Sequence, residues 1–446
     1  MLPIVKVPVS IQEVMKSYRN LFVRDAGFEH ICRYVTGLLI SANKTLQGIY
    51  DLQRWEGNPV SCRAMHQSIF ESGWKSEQLM SRHRKVVSQD YRQGQSVISL
   101  DWTLSHHEKG SHIYGVKKGF DYIEKRYGLF QTVVTATASN ERYVDGVASV
   151  IQAPGFLKEE EVYLKGTSQA EYQNTEEARK RLLELLHYHQ HQLQYRKRTE
   201  ICVDIVREIE EEGHFPQAHY AFDNGVLHLE LIQLIEGKGK HWVSELEVSR
   251  NVCWESKWLR MDQIAEMLRT HHPQSFRKYE VPMRCGTKRT FWAFSKILRL
   301  KNGYGKKRIV IVHETQNLSD SPRFLITDAF HWEPTKIMTI WSYRWSSEIF
   351  HEFSKQQVGF EDTQVRKEEA VKRAFHLSCV AQSILQRQQP QASTSEKFKF
   401  AQGQITVGQK QRSLVREVFK TVISLIQKTL ASGESPQQIL DRLMPA

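Results

Sequence analysis

The feature that most constrains this chain is a change of texture at Ser96. From there, short runs rich in β-branched and aromatic residues follow one another: "SVISLD" (96–101), "SHIYGVKKGF" (111–120) and "GLFQTVVTAT" (128–137), separated by glycine-containing turns. They read as an antiparallel meander of three strands. The pattern then turns helical in "TEEARKRLLELLHYHQHQLQ" (175–194) and "TEICVDIVREIEEEG" (199–213), the second closed by a glycine stop, and returns directly to a strand, "AHYAFD" (218–223). Strands, then helix, then strand indicate a mixed α/β sheet rather than a sandwich.

At 446 residues, 40% of them hydrophobic, the chain is long enough for two to four domains with real cores. Its formal charge of +12 and pI near 9.3 point to a polyanionic partner. The basic residues fall in short clusters, "RHRK" (82–85), "RKR" (196–198), "KGK" (238–240) and "KKR" (306–308), which suits nucleic acid better than a membrane surface. Six cysteines without a C-x-x-C pair argue against a disulfide framework or a zinc knuckle. "MLPIVKVPVS" has no charged leader before an apolar stretch, and no apolar run of about 18 residues occurs, so a cytosolic protein is expected.

The flanks read as helical. In residues 1–95, "SIQE" (10–13) has the form of a capping box, "HICRYVTGLLI" (30–40) is amphipathic, and "AMHQSIFESGWKSEQLMSRHRKVV" (64–87) breaks near Gly73. Such a module serves equally as a helix–turn–helix reader of DNA or as a structural cap. Beyond "RKEEAVKRAFHLSCVAQSILQ" (366–386), a packing helix, residues 387–409 are polar and without period, as in a flexible linker. The amphipathic "RSLVREVFKTVISLIQKTLASG" (412–433) and "SPQQILDRLM" can then dock on the chain's own core or, as the reading taken here, on a second subunit.

Two acidic residues follow apolar strand runs, Asp101 after "VISL" and Asp223 after "HYAF", and strand ends are where a sheet presents reactive groups. Each also has an ordinary reading, since "DNG" (223–225) is a turn signal and "DWT" can merely end a strand. A third acid lies in "IWSYRWSSEIFHEFSKQQVGF" (340–360). On one continuous helix, Trp341, Arg344, Glu348 and Lys355 share a stripe, while Trp345, Ile349, Phe350 and Phe353 lie opposite and can bury it. Taken alone, Arg344 and Glu348 are a common i,i+4 surface pair. Taken with two strand-end aspartates, Glu348 completes the set of hard oxygen donors from separate elements that two-metal phosphoryl transfer needs. His187, His189, His191 and the "HH" pairs at 106–107 and 271–272 have no acidic or cysteine partner at ligand spacing and read as solvated residues rather than zinc ligands.

The spacing Trp341-x-x-Arg344-x-x-x-Glu348-x-x-x-x-x-x-Lys355 resembles the Y-x-x-R-x-x-x-E-x-x-x-x-x-x-K signature of bacterial insertion-sequence DDE transposases, with three of the four positions matching. "LDWTL" around Asp101 is similar to the family's first-strand D-x-T, and "YAFDNG" to its second aspartate. The resemblance spans roughly residues 25–385. It implies a ribonuclease-H-like core with a β-rich insertion between Asp223 and Glu348, plus an all-α N-terminal domain and a C-terminal helical tail. The expected division is a helical DNA-binding domain (1–95), the first part of the catalytic core (96–249), the insertion (250–332), the second part of the core with the Glu helix (333–386), the linker (387–409) and C-terminal helices (410–446). Also implied are catalysis by Asp101, Asp223 and Glu348 holding Mg²⁺, for which Mn²⁺ can substitute, and contacts from Arg344 and Lys355 to the phosphates of transposon ends. Trp292 in the insertion would stack on a displaced base, and Trp341, standing where the family has tyrosine, is also expected to contact DNA, with an indole that can stack or donate one hydrogen bond in place of a phenol. The partners implied are double-stranded DNA, as transposon ends and target, and a second copy in an active homodimer, in the cytoplasm of a prokaryote. The competing readings are a non-catalytic DNA-binding protein derived from a transposase and a general ribonuclease-H-like nuclease.

Overall fold

The computed structural model describes residues 3–54, 60–110, 112–122, 124–153, 196–284, 286–390 and 405–444. Among the described residues, twelve strands form one sheet. Its first part comprises β1 (Val97–His107), β2 (Lys117–Asp121), β3 (Arg126–Ser139), β4 (Val144–Ile151), β5 (His219–Phe222) and β6 (Trp242–Glu245). β4, β3 and β1 are antiparallel neighbours, and β1, β5 and β6 run parallel, an arrangement consistent with a ribonuclease-H-like transposase domain. The expected three-strand meander is not what forms. β3 lies between β1 and β2, because its fourteen residues are long enough to pair with β1, β2 and the unforeseen β4 together.

β1 also runs farther than its apolar residues suggest. Val97–Leu100 are buried on both faces, as befits a central strand, and pair in parallel with His219–Phe222. Where β5 stops, β1 continues to His107 against β3 alone.

The strands β7 (Asn251–Trp254), β8 (Lys257–Arg260), β9 (Arg277–Pro282), β10 (Lys288–Leu300), β11 (Gly305–His313) and β12 (Arg323–Thr327) fill the stretch read as an insertion. They extend the core sheet, since β12 pairs with β6 through Leu325↔Glu245 to Thr327↔Val243.

The helices are α1 (Val9–Lys16), α2 (Asp25–Ile40), α3 (Leu46–Asp51), α4 (Cys62–His66), α5 (Ser76–Val87), α6 (Arg198–Glu212), α7 (Leu229–Gly237), α8 (Met261–His271), α9 (Pro334–Ser342), α10 (Trp345–Val358), α11 (Glu368–Arg387), α12 (Val407–Ala431) and α13 (Pro436–Leu443). The break foreseen near Gly73 separates α4 and its π-turn from α5. α2 is not amphipathic in its setting, because His30 through Leu39 are all buried. Ile11, Leu38 and Leu79 of the N-terminal helices share one cluster with Ala374, Leu377 and Ala381 of α11 and Leu414 of α12. Leu414 of α12 thus packs on the chain's own core, while Phe419, Ile423 and Leu430 of the same helix stay exposed. It starts at Val407, inside the segment read as linker; residues 391–404 of that segment lie outside the described residues, as do the 175–194 stretch and its three histidines. "SIQE" does not cap α1, since Ser10 lies inside the helix and its N–H and hydroxyl donate to Glu417 of α12. Among the described residues, no helix is long and apolar enough to cross a membrane.

Candidate active site

The parallel register delivers two carboxylates together. Leu100 and Phe222 are the last parallel pair of β1 and β5, so Asp101 and Asp223 are the next residues on neighbouring strands. Asp223 opens a turn in which its Oδ1 accepts from the Gly225 and Val226 N–H groups (3.0 and 3.2 Å), and its carbonyl accepts from Ser244 on β6 (3.1 Å). A Cβ at Gly225 would stand 2.7 Å from the Trp102 indole, so the turn closes against β1 only with glycine there. The turn reading and the cleft reading of "DNG" therefore coexist.

Glu348 arrives on α10 by a different device. The stretch 340–360 is two helices rather than one, with α9 ending at Ser342 and α10 beginning at Trp345. The joint is pinned to β1, where the Ser99 hydroxyl donates to the Tyr343 carbonyl at 3.1 Å, two residues before Asp101. Restarting the helix resets its phase. Ser347, Phe350, His351 and Ser354 form the buried face, and Trp345, expected inside, is 58% exposed. Phe350 lies under Gly146 of β4, where a Cβ would be 2.4 Å from its ring. One turn beyond Glu348, the ring of His351 is hydrogen-bonded to Thr135 (2.8 Å), the register partner of Asp101, whose carbonyl the Thr135 hydroxyl also reaches at 3.4 Å. Burial, then Lys355, pushes the His351 pKa down to about 3, so this ring is a neutral strut.

Asp101, Asp223 and Glu348 line one cleft of about 1010 Å³. Burial pushes the Asp101 pKa up to about 7 against the hydrogen bond from the Trp102 N–H; Asp223 and Glu348 push it further in the same direction, and Arg344 opposes them. Cys202 on α6 feels both aspartates as well, burial first and then their charges raising its thiol to about 12. Three carboxylates lining one cleft are the hard oxygen type of donor that a divalent cation takes. Glu348 meanwhile accepts from Arg344 at 2.7 Å, and the three acids do not form a group with ligand atoms within 4.8 Å of one another.

The other foreseen residues take varied places. The Arg344 guanidinium lies 5.2 Å from the centre of the Trp341 ring, so this half-buried indole supports the arginine from beneath. Lys355 lines the cleft, donating to the Leu104 carbonyl (2.5 Å) and pairing with Glu361 (2.8 Å). Trp292 on β10 is half-buried against the main core and is not among the residues lining the cleft.

Sequence reasoning missed two cations in the cleft, Lys117 and Arg198. Arg198 opens α6 and stacks on Trp102 at 4.1 Å; its signal was the "RKR" cluster, which nothing tied to a site. Burial, and after it Arg198, holds the Lys117 amine below its usual range. His106 was also misread as solvated. Its Nε2 meets the buried Asp121 at 2.8 Å, and with Glu124 the two form the group of ligand atoms lying within 4.8 Å of one another among the described residues. The fifteen-residue gap hid this pair, which only the β1–β3–β2 pairing brings together.

No curated protein matches the chain. Residues 183–384, somewhat under half of the chain, match the family model described as "Transposase DDE domain". That stretch includes Asp223, Arg344, Glu348 and Lys355, while Asp101 precedes it and joins them through the sheet. The strand-edge aspartates, the glutamate helix and this match together support a DDE transposase.

Proposed function

We propose that the protein is a DNA transposase that cleaves a donor strand at transposon ends and then joins the freed 3′-hydroxyl to target DNA, with Asp101, Asp223 and Glu348 as its catalytic carboxylates. The observation that carries this reading is the register of β1 and β5, which ends at Leu100↔Phe222 and so sets two aspartates side by side in the cleft that Glu348 also lines.

The three carboxylates would hold two Mg²⁺ ions, or Mn²⁺ in their place. Bound there, the cations would supply Lewis acidity to the attacking and leaving oxygens of the phosphoryl group. The chain's own part is to bind, position and charge-balance. Arg344 is the exchangeable partner of Glu348, pairing with it in the absence of DNA and turning to a backbone phosphate as the glutamate takes up its ligand role. Its planar fork suits a bidentate phosphate contact, and the Trp341 ring beneath limits its freedom. Lys355, Lys117 and Arg198 line the same cleft and would hold phosphates on either side of the scissile one. Trp341 acts through Arg344, so the tyrosine of the related signature is replaced here by a positioning ring. Two copies, each gripping one end, would form the active complex.

The test is strand cleavage of end-containing DNA in Mg²⁺ by Asp101→Asn, Asp223→Asn and Glu348→Gln. Each should lose roughly a thousandfold or more in rate, about 4 kcal/mol of barrier, while retaining end binding. Double variants should be no worse than single ones, because one shared site is already disabled. Near-parent cleavage by any single variant removes that residue from the site.

A further inference from the structure

The hairpin formed by β2 and β3 ends in three aromatic rings that face solvent. Phe120, Tyr122 and Tyr127 are 37%, 84% and 72% exposed. They touch one another: Phe120 and Tyr127 are cross-strand partners with ring centres 5.2 Å apart, and Tyr122 stands 5.1 Å from Phe120. Rings of this size left in water by a chain with ample core to bury them are unusual, and a cluster of three is a surface with a purpose.

The tip is held rather than loose. Asp121, almost completely buried, accepts from the Glu124 N–H (3.2 Å) across the turn and pairs with His106 of β1 (2.8 Å). Lys125 takes a left-handed conformation (φ 53°) that closes the turn. The buried Asp121 thus ties the strand that carries Phe120 to β1.

What they meet is indicated by their surroundings. Phe120 and Tyr122 line the same cleft as Asp101 and Glu348, so the platform continues the catalytic wall. The exposed Lys118 and Lys125 flank the rings in sequence, and Lys117 and Arg198 continue the line of positive charge into the cleft. Flat rings flanked by Lys118 and Lys125, with Glu124 between them in sequence, match a single DNA strand, whose bases offer faces to stack on and whose phosphates follow at each step. A paired duplex covers both faces of every base, so only an unpaired or extruded base can use the rings. A protein partner would call for an apolar patch not interrupted by lysines.

We propose that Phe120, Tyr122 and Tyr127 form a stacking platform for unpaired nucleobases of a DNA strand lying in the cleft. This rests on the reading of the protein as a DNA transposase. It also moves the base-stacking role away from Trp292, which is half-buried on β10.

The experiment is binding of the full chain, in chelator so that no strand is cut, to a DNA duplex and to the same duplex with a central mismatch carrying 2-aminopurine. The parent should bind the mismatched duplex about tenfold more tightly and quench the 2-aminopurine on stacking. Tyr122→Ala, Tyr127→Ala and Phe120→Ala should lose that preference and the quenching with duplex binding unchanged, while Tyr122→Phe and Tyr127→Phe should keep both. A parent that binds both DNAs equally overturns the platform and leaves the transposase reading standing; a parent that binds neither overturns both. Alanine variants that retain preference and quenching also overturn the platform, including the case in which they alter only self-association in sedimentation.

Discussion

Asp101 and Asp145 are the same residue type on two strands that flank β3, β1 and β4, yet their surroundings drive them apart. Asp145 is completely buried and is held well below the usual carboxylate range, at about 2, because Arg387 grips it with two hydrogen bonds (2.8 and 2.9 Å) and Ser383 and Tyr91 supply two more. Asp101 sits at the cleft wall among acids and is raised to about 7. Burial pushes both upward, and in Asp145 the arginine and hydroxyls overcome it. One site is complete in itself. The other is left among like charges, the kind of arrangement by which carboxylates in clefts are perturbed.

The contrast is sharpest in what removing an arginine does. Arg387→Ala strands a fully buried carboxylate and should cost roughly 3–5 kcal/mol of stability, measured by urea unfolding at neutral pH. A loss under ~1 kcal/mol would mean that the Asp145 network is not a closed structural unit.

A smaller effect, opposite in sign, is expected at the cleft. The raised pKa of Asp101 means that its contribution to stability is full below the unfolded value near 3.8 and is lost as pH rises through about 7. In chelator, Asp101→Asn should therefore match the parent at pH 4 and exceed it by on the order of 1 kcal/mol at pH 8, allowing for solvent screening at the cleft. Mg²⁺ should narrow the gap by stabilising the parent alone. Asp145 runs the other way, contributing above pH 3.8 and failing as pH falls through about 2. A parent whose stability relative to Asp101→Asn does not change between pH 4 and 8 would erase the distinction between the two acids.

The smallest stability effect should come from Arg344→Lys. Its ion pair with Glu348 is partly exposed, so unfolding free energy should change by well under ~1 kcal/mol. Cleavage of end DNA should nevertheless fall about tenfold or more, because lysine keeps the charge but not the two-pronged contact. Unchanged cleavage would reduce Arg344 to a surface ion pair.

The site was partly legible in the chain. Arg344, Glu348 and Lys355 stood out by spacing, and Asp223 by closing the apolar run "HYAF". Asp101 stood out for a reason that proved indirect: "VISL" ends its apolar run where β5 stops covering β1, whereas β1 itself runs on to His107. Apolar pattern reports burial, and hydrogen bonding can outlast it. The joint at Tyr343 left no glycine or proline to mark it, since the Ser99 hydroxyl that pins it belongs to a strand far away in sequence. Arg198 and Lys117 were visible as charge but not as cleft residues, and the ring cluster at the hairpin tip was unreadable because nothing local distinguishes an exposed tyrosine from a buried one.

The cluster that joins Ile11, Leu38 and Leu79 to Leu377 and Leu414 also sets an order in time. Helices α1 and α2 carry apolar faces whose partners on α11 and α12 lie more than three hundred residues further along the chain, and β1 likewise meets β5 more than a hundred residues on. Closing such long loops is slow, because their entropy must be overcome before any contact rewards it. During synthesis α1, α2 and α5 therefore lack the cover of α11 and α12, and the cleft comes into being only after the Glu348 helix has been made.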